Sequence, residues 1–283
     1  MKKWNLIVDV AQCSYCNNCT MAEKDEYEGN TFPGYSVPQP RHGHYWIRLQ
    51  RRERGSGSLM DVAYLPTMCN QCDRPPCLGA APPGAVYKRP DGIVMIDPVK
   101  AKGQKQLVEA CPYGHIWWNE EQQVPQKYFF DAHLLDQGWT APRAVKVCAC
   151  GALEAAHVTD EEMQTRATAE RLEVLRPELG TRPRVWYRNL YRFTREHIAG
   201  SVVTVVHGLE EVCESAAVTL LKDGETVASA VTDFFGDFKF DALEPESGSY
   251  VVRAEWKGMA KETTARLGQS VNVGVILLAA SGT

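Results

Sequence analysis

The sequence has 283 residues, 44% hydrophobic and 23% charged, the balance of a globular protein with room for about two domains. That composition excludes bulk disorder, collagen-like repeats and coiled coil. With 31 Lys and Arg against 35 Asp and Glu, the formal charge of −4 excludes the strong basic excess of a nucleic-acid binder.

The first element expected is a strand over Trp4–Val10. The polar residues Asn5 and Asp9 interrupt it, so the start does not read as a secretory signal, and no run of roughly 18 apolar residues suggests a membrane span. A cytoplasmic location is the expectation. Turn signals follow at Pro33-Gly34, Pro82-Pro83-Gly84 and Pro90-Asp91-Gly92. The last of these predicts a hairpin over Ala85–Asp97. Thr159 and Glu162 form a capping-box pattern, which predicts a charged surface helix running to about Leu175. A basic, aromatic linker spans Arg182–Phe193.

From about Ser201 the apolar pattern has period two. Strands are expected over Val202–Val206, Ala217–Leu221, Thr226–Val231, Phe238–Phe240, Tyr250–Trp256 and Val271–Leu278, with turns at Asp223-Gly224 and Lys257-Gly258. Phe234, Phe235, Phe238 and Phe240 read as core and edge packing. The expected division is 1–155, 156–200 (helix and linker) and 201–283 (a β-domain of six or seven strands).

Ten cysteines carry the chemistry, and nine precede residue 151. In a reducing compartment, clustered cysteines read as metal ligands before disulfides. Cys13, Cys16 and Cys19 are spaced by two residues, as in the bacterial ferredoxin run. Such a loop offers three thiolates to three corners of a cubane, and the fourth must come from elsewhere. Cys69, Cys72 and Cys77 form a second run. Cys111, followed by Pro112, is its remote fourth ligand. Cys148 and Cys150 are the remote candidates for the first run, and Cys150 is preferred because Gly151 permits close backbone approach. This arithmetic gives two [4Fe–4S] clusters, with Cys148 and Cys213 left over and Cys213 expected to be inert. The alternative is structural zinc, since Cys69-x2-Cys72 alone is a common zinc knuckle.

Together with other stretches, these runs resemble a known family. The stretches include Ile7–Val10, Pro33–Tyr35, Arg51–Gly55, Gly84–Tyr87, Asp91–Val94, Ile96–Pro98 and Cys111–Gly114. They continue with Trp118–Glu121, Ala132–Asp136, Pro177–Gly180, Asn189–Phe193 and Phe234–Gly236. The chain resembles the iron–sulfur subunits of molybdopterin oxidoreductases, and within them the small subunits of pyrogallol–phloroglucinol transhydroxylases. The resemblance covers nearly the whole chain. It implies an α+β fold: a ferredoxin-like iron–sulfur domain, then a small all-β immunoglobulin- or transthyretin-like sandwich. It implies a non-catalytic electron-transfer subunit of a heteromer acting on polyhydroxylated aromatics. The molybdenum bis-pterin cofactor would sit on a large partner subunit, and the complex could assemble further. A hydroxylase of resorcinol or hydroxybenzoate type that exports electrons is the alternative, and a zinc-binding interaction subunit the second.

The departures from the family plan matter. Its third cysteine run is absent from Lys102–Val108, with Ala81 in place of that run's remote partner. The ligands of a further cluster would fall at Glu23, Tyr128, Asp131 and Lys146, none of them cysteine. In the family plan that cluster bridges the two retained ones. Its loss implies a weakened electron path, which suits hydroxyl transfer without net electron export.

Arg41–His44 and Arg48–Arg54, with Tyr45 and Trp46, read as a docking surface for the large subunit. Arg182–Arg192 reads equally as docking or as a brace. Tyr113, Trp117 and Trp118 read as packing that keeps water from a cluster. His115 and His133 read as surface or hydrogen-bonding residues. No nucleophile–base pair, phosphate loop or carboxylate dyad stands out, so the substrate chemistry is expected on the partner.

Overall fold

The computed structural model describes residues 1–279 and divides into two compact units. The first comprises Met1–Gln50 and Tyr64–Leu190. The second comprises Arg51–Ala63 and the chain from Tyr191 on. Residues 156–190, read from sequence as helix and linker, therefore lie within the first unit. Among the described residues, no helix is long and apolar enough to cross a membrane.

The first unit is built on a three-stranded sheet. Its central strand β1 (Lys3–Asp9) pairs antiparallel with β2 (Leu153–Val158) and parallel with β3 (Val185–Arg188). Residues Trp4–Asp9 are all buried, as a central strand covered on both faces requires. The helix α1 (Asn18–Tyr27) follows β1 through the first cysteine loop. The expected hairpin forms between Val86–Lys88 and Val94–Ile96, with Val86 opposite Ile96.

The helix α2 (Asp160–Ala169) starts where expected, because the Thr159–Glu162 capping box closes in both directions. It ends six residues short of Leu175. Arg171 adopts a left-handed φ of 52°, and the Leu172 amide bonds back to the Ala167 carbonyl at 2.8 Å, which terminates the helix without a glycine. Its Met163 and Ala167 are buried on Ile7 and Ala156, so one face of this charged helix is core.

The second unit holds eight strands: β4 (Glu196–Val206), β5 (Leu209–Val212), β6 (Ala217–Lys222), β7 (Glu225–Val231), β8 (Asp237–Leu243), β9 (Gly248–Trp256), β10 (Met259–Leu267) and β11 (Val271–Leu278). They form two four-stranded sheets. One has β4 flanked by β5, β8 and β11; the other has the order β7-β6-β9-β10. Both sheets feed one apolar cluster, from Ile198 and Val202 through Leu220 and Val252 to Ile276 and Leu278. Strands β5 and β10 lay outside the sequence reading, since every β5 residue is exposed and β10 buries only Ala265 and Leu267.

Phe238 and Phe240 are buried in this cluster, but Phe234 and Phe235 are 64% and 61% exposed. They sit on the turn that Asp233 closes, and their rings meet tilted, with centroids 3.8 Å apart. Cys213 is fully buried.

Candidate iron–sulfur sites

The first cysteine run lies in the loop between β1 and α1. The Asp9 carboxylate accepts from Ala11 N at 2.9 Å, and its carbonyl accepts from Gln12 and Cys13. Tyr15 and Asn17 have φ near +60°, which bends the loop around the thiols. Cys19 enters the first turn of α1 and is buried; Cys13 is half-buried and Cys16 exposed. Burial pushes the Cys19 thiol up to about 12.

Cys148 and Cys150 reach the same place from the short helix Arg143–Lys146, with their sulfurs 3.8 Å apart. Both raise the Cys13 thiol electrostatically, on top of its burial. Gly151 has φ 68° and closes this turn onto the Cys148 carbonyl at 3.1 Å. Burial opposes ionisation of Cys150, but backbone N–H groups of Ala152 and Ser14 outweigh it and hold this thiol below its ordinary value. Burial moves Cys148 the other way. Ser14 lies inside the first run, so Cys150 is addressed by that loop directly.

The second run and its remote partner line one pocket. Cys69, Cys72, Cys77 and Cys111 line it together with Val94, Ile116 and three prolines. Gln71, at φ 49°, turns the chain between Cys69 and Cys72, and Pro76 begins the short helix that presents Cys77. The His115 amide points at Cys111 Sγ at 3.5 Å. Burial pushes Cys72 up to about 12 and Cys77 up to about 11, and the neighbouring thiols add to the effect. Burial also raises Cys111, so three of the four thiols in this pocket ionise reluctantly unless a cationic group binds them.

The fit to an iron–sulfur cluster is tested by the donor set: the second run and remote Cys111 bring four thiols to one largely apolar pocket, the ligand set such a cluster takes. Asn70, between two ligands, is buried with neither side-chain amide atom partnered and lines the same pocket. Its unpartnered N–H is a donor available to a sulfur acceptor in that pocket.

Three of the four positions that the resemblance gives to a further cluster do meet in space. Asp131 accepts from Tyr27 Oη at 2.6 Å, from Tyr128 Oη at 2.8 Å and from Arg143 N at 2.8 Å. Glu23 accepts from Gln39 Nε2 and feels the Asp131 charge. All five side chains are buried. Burial pushes Glu23 up to about 8 and raises Asp131 against its three donors. Lys146 stands apart, donating to Thr140 and lying over the Trp139 ring. This polar plug lies next to both cysteine sites. The Tyr128 carbonyl accepts from Gln71 of the second run at 2.8 Å, and its hydroxyl feels Cys19 of the first.

Several sequence readings are corrected. Trp46 and Arg54 are internal, so the Arg41–Arg54 segment is not one exposed docking surface; Arg41 and Tyr45 do remain exposed. Arg184 is buried and paired with Asp73 and Asp160, and Tyr187 is fully buried, which makes that part of Arg182–Arg192 a brace within the first unit. His115 and His133 are buried rather than on the surface. His133 contacts Glu26 at 2.8 Å, and burial pushes His115 down to about 4. Tyr113 is fixed by Thr181 at 2.6 Å. Sequence reasoning missed Asn70, Gln71 and Lys127 at the second site. The first two were visible only as the filling of a Cys-x2-Cys run.

A model of the 4Fe-4S dicluster domain matches residues 60–158. The chain is 45% identical to the pyrogallol hydroxytransferase small subunit of Pelobacter acidigallici over 98% of its length and 100% of that protein. It is 31% identical to one subunit of the tetrathionate reductase of Salmonella typhimurium, over 66% of this chain and 73% of that one. It is also 31% identical to one subunit of the sulfite dehydrogenase of Allochromatium vinosum, over 73% and 90%.

Proposed function

The chain belongs to the family of the pyrogallol hydroxytransferase small subunit, and on that premise we propose that it is the iron–sulfur, non-catalytic subunit of a molybdenum-pterin hydroxytransferase acting on polyhydroxylated aromatics. The observation that carries this reading is the pocket of Cys69, Cys72, Cys77 and Cys111, inside the matched dicluster segment. We assign these four thiols to one [4Fe–4S] cluster, and Cys13, Cys16, Cys19 and Cys150 to a second. Such clusters, when bound, store and pass single electrons. The first unit is read as ferredoxin-like and the second as an immunoglobulin- or transthyretin-like sandwich. The molybdenum cofactor and the reacting ring belong to a large partner subunit, since no catalytic constellation is found among the described residues of this chain.

What the chain's own residues do is hold thiols and exclude water. The prolines, Val94 and Ile116 keep the second site dry, which tunes a cluster's potential. The plug of Tyr27, Tyr128, Asp131 and Glu23 leaves protein where the family plan has a redox group. Electrons exchanged between the two sites cross that protein, which favours hydroxyl transfer within one complex over sustained export.

The test is iron, acid-labile sulfide, zinc and molybdenum in the anaerobically purified complex, followed by turnover with and without an electron acceptor. About eight irons per copy of this chain, matching sulfide, and turnover without acceptor are expected. Strict dependence on an acceptor replaces the transferase with a hydroxylase. Zinc in place of iron overturns the electron-transfer reading, and about twelve irons overturns the loss of the further cluster.

A further inference from the structure

Lys127 is a buried lysine without an anionic side-chain partner among the described residues. It is 2% exposed. Its ammonium donates to the Val94 carbonyl at 2.5 Å and reaches the Tyr128 carbonyl at 3.4 Å and Gln71 Oε1 at 3.5 Å. All three acceptors are uncharged. No ion pair among the described residues includes Lys127. Burying an ammonium with neutral acceptors alone is costly, so such a group normally faces an opposite charge.

The charge it faces is the second cysteine site. Lys127 lines the same pocket as Cys69, Cys72, Cys77 and Cys111, and its charge favours the ionised forms of Cys77 and Cys111 against the push of burial. With four protonated thiols in that pocket, Lys127 has no counter-charge. With four metal-bound thiolates, it has one. The first site is different: the charges that weigh most on Cys13 and Cys19 are other thiols.

We propose that Lys127 is the built-in counter-cation of the second cluster and makes it the higher-potential one of the pair, the place where an electron rests. This rests on the assignment of clusters made above. Reduction adds one electron, breaks no bond and makes the cluster one unit more negative, so a fixed cation beside it favours the reduced form.

The experiment uses the whole anaerobic complex with Lys127→Gln, Lys127→Arg and wild type. Iron and sulfide are measured first, then both potentials by redox titration followed by electron paramagnetic resonance. A wild type without iron fails the cluster reading and not this one. With iron intact, Lys127→Gln is expected to lower one potential by at least tenfold in the reduction equilibrium, 59 mV for one electron, and to leave the other unmoved. Lys127→Arg keeps the charge and stays near wild type. Two unmoved potentials overturn the proposal, as does an Arg variant that falls as far as the Gln variant. Loss of about four irons by the Gln variant alone supports it, because the Arg variant, which also replaces the ammonium but keeps the positive charge, retains them. Should both variants lose iron, Cys16→Ala removes the first cluster from an otherwise wild-type complex. The remaining signal must then be the higher of the two wild-type potentials; the lower one overturns the proposal.

Discussion

Replacing Glu23 by Gln should stabilise the protein, and the gain should grow with pH. In the fold Glu23 titrates near 8, against 4.5 for an ordinary carboxyl, because it is buried with one donor, Gln39, on its Oε1. Its Oε2 and Gln39 Oε1 have no partner. The folded state therefore holds a proton that the unfolded state releases between these values. Stability from this group is fully present below pH 4.5 and is lost as pH rises through 8. At 1.36 kcal/mol per pH unit, the loss is about 3 kcal/mol by pH 7 and nearly 5 by pH 8, as orders of magnitude. A Gln side chain has no such proton to lose, and its amide N–H can serve the orphaned Gln39 oxygen. Thermal unfolding of the anaerobic complex, followed by cluster absorbance at pH 5.5, 7 and 8, reads the difference. At about 2–4 °C per kcal/mol for a domain of this size, Glu23→Gln should melt roughly 6–12 °C above wild type at pH 7 and match it near pH 5. A variant that melts below wild type at pH 8, or a gap that does not change with pH, refutes the reasoning.

Cys150→Ala should lose about four irons per chain while Cys148→Ala keeps about eight, by the same elemental analysis; the reverse reassigns the first site. Cys111→Ala should likewise halve the iron, whereas Cys213→Ala, in the core of the second unit, should leave iron unchanged and cost about 1 kcal/mol in melting. Arg54→Met should destabilise the second unit by about 3–5 kcal/mol. Arg54 is fully buried between Asp61 and Asp241, and with Arg192 it holds the Asp61 carboxyl far below its usual range despite burial. A calorimetric loss under 1 kcal/mol would show that Arg192 and Lys239 suffice for the two aspartates.

The parts of this molecule legible in sequence are those set by local spacing. The cysteine runs are local, because a loop around a cubane fixes its intervals, and the thiols of the second run do meet remote Cys111 in one pocket. The capping box at Thr159 is local as well, and it forms. The end of that helix was misread because the residue that takes the left-handed turn is Arg171, where a glycine would have marked it. Phe234 and Phe235 were misread because residue type alone cannot tell a core aromatic from one on a turn closed by Asp233. Arg54 was misread because its two carboxylate partners are 7 and 187 positions away. Lys127 was invisible for the same reason: its acceptors come from Gln71, Val94 and Tyr128, which only the fold brings together.

Donor count decides the charge on each buried group around the two sites. Asp131 has three donors, two hydroxyls and a backbone amide, and burial still raises its carboxyl above the ordinary value. Glu23 has far less and keeps its proton at neutral pH. Lys127 has three neutral acceptors, which solvate but do not neutralise it. One residue ties two of them together, since the Tyr128 carbonyl serves Lys127 and Gln71 while the Tyr128 hydroxyl serves Asp131. The plug is thus more than filler for a vacated site. Tyr128 bonds the Lys127 ammonium through its carbonyl and the Asp131 carboxyl through its hydroxyl, so any substitution that moves this residue acts on both groups at once.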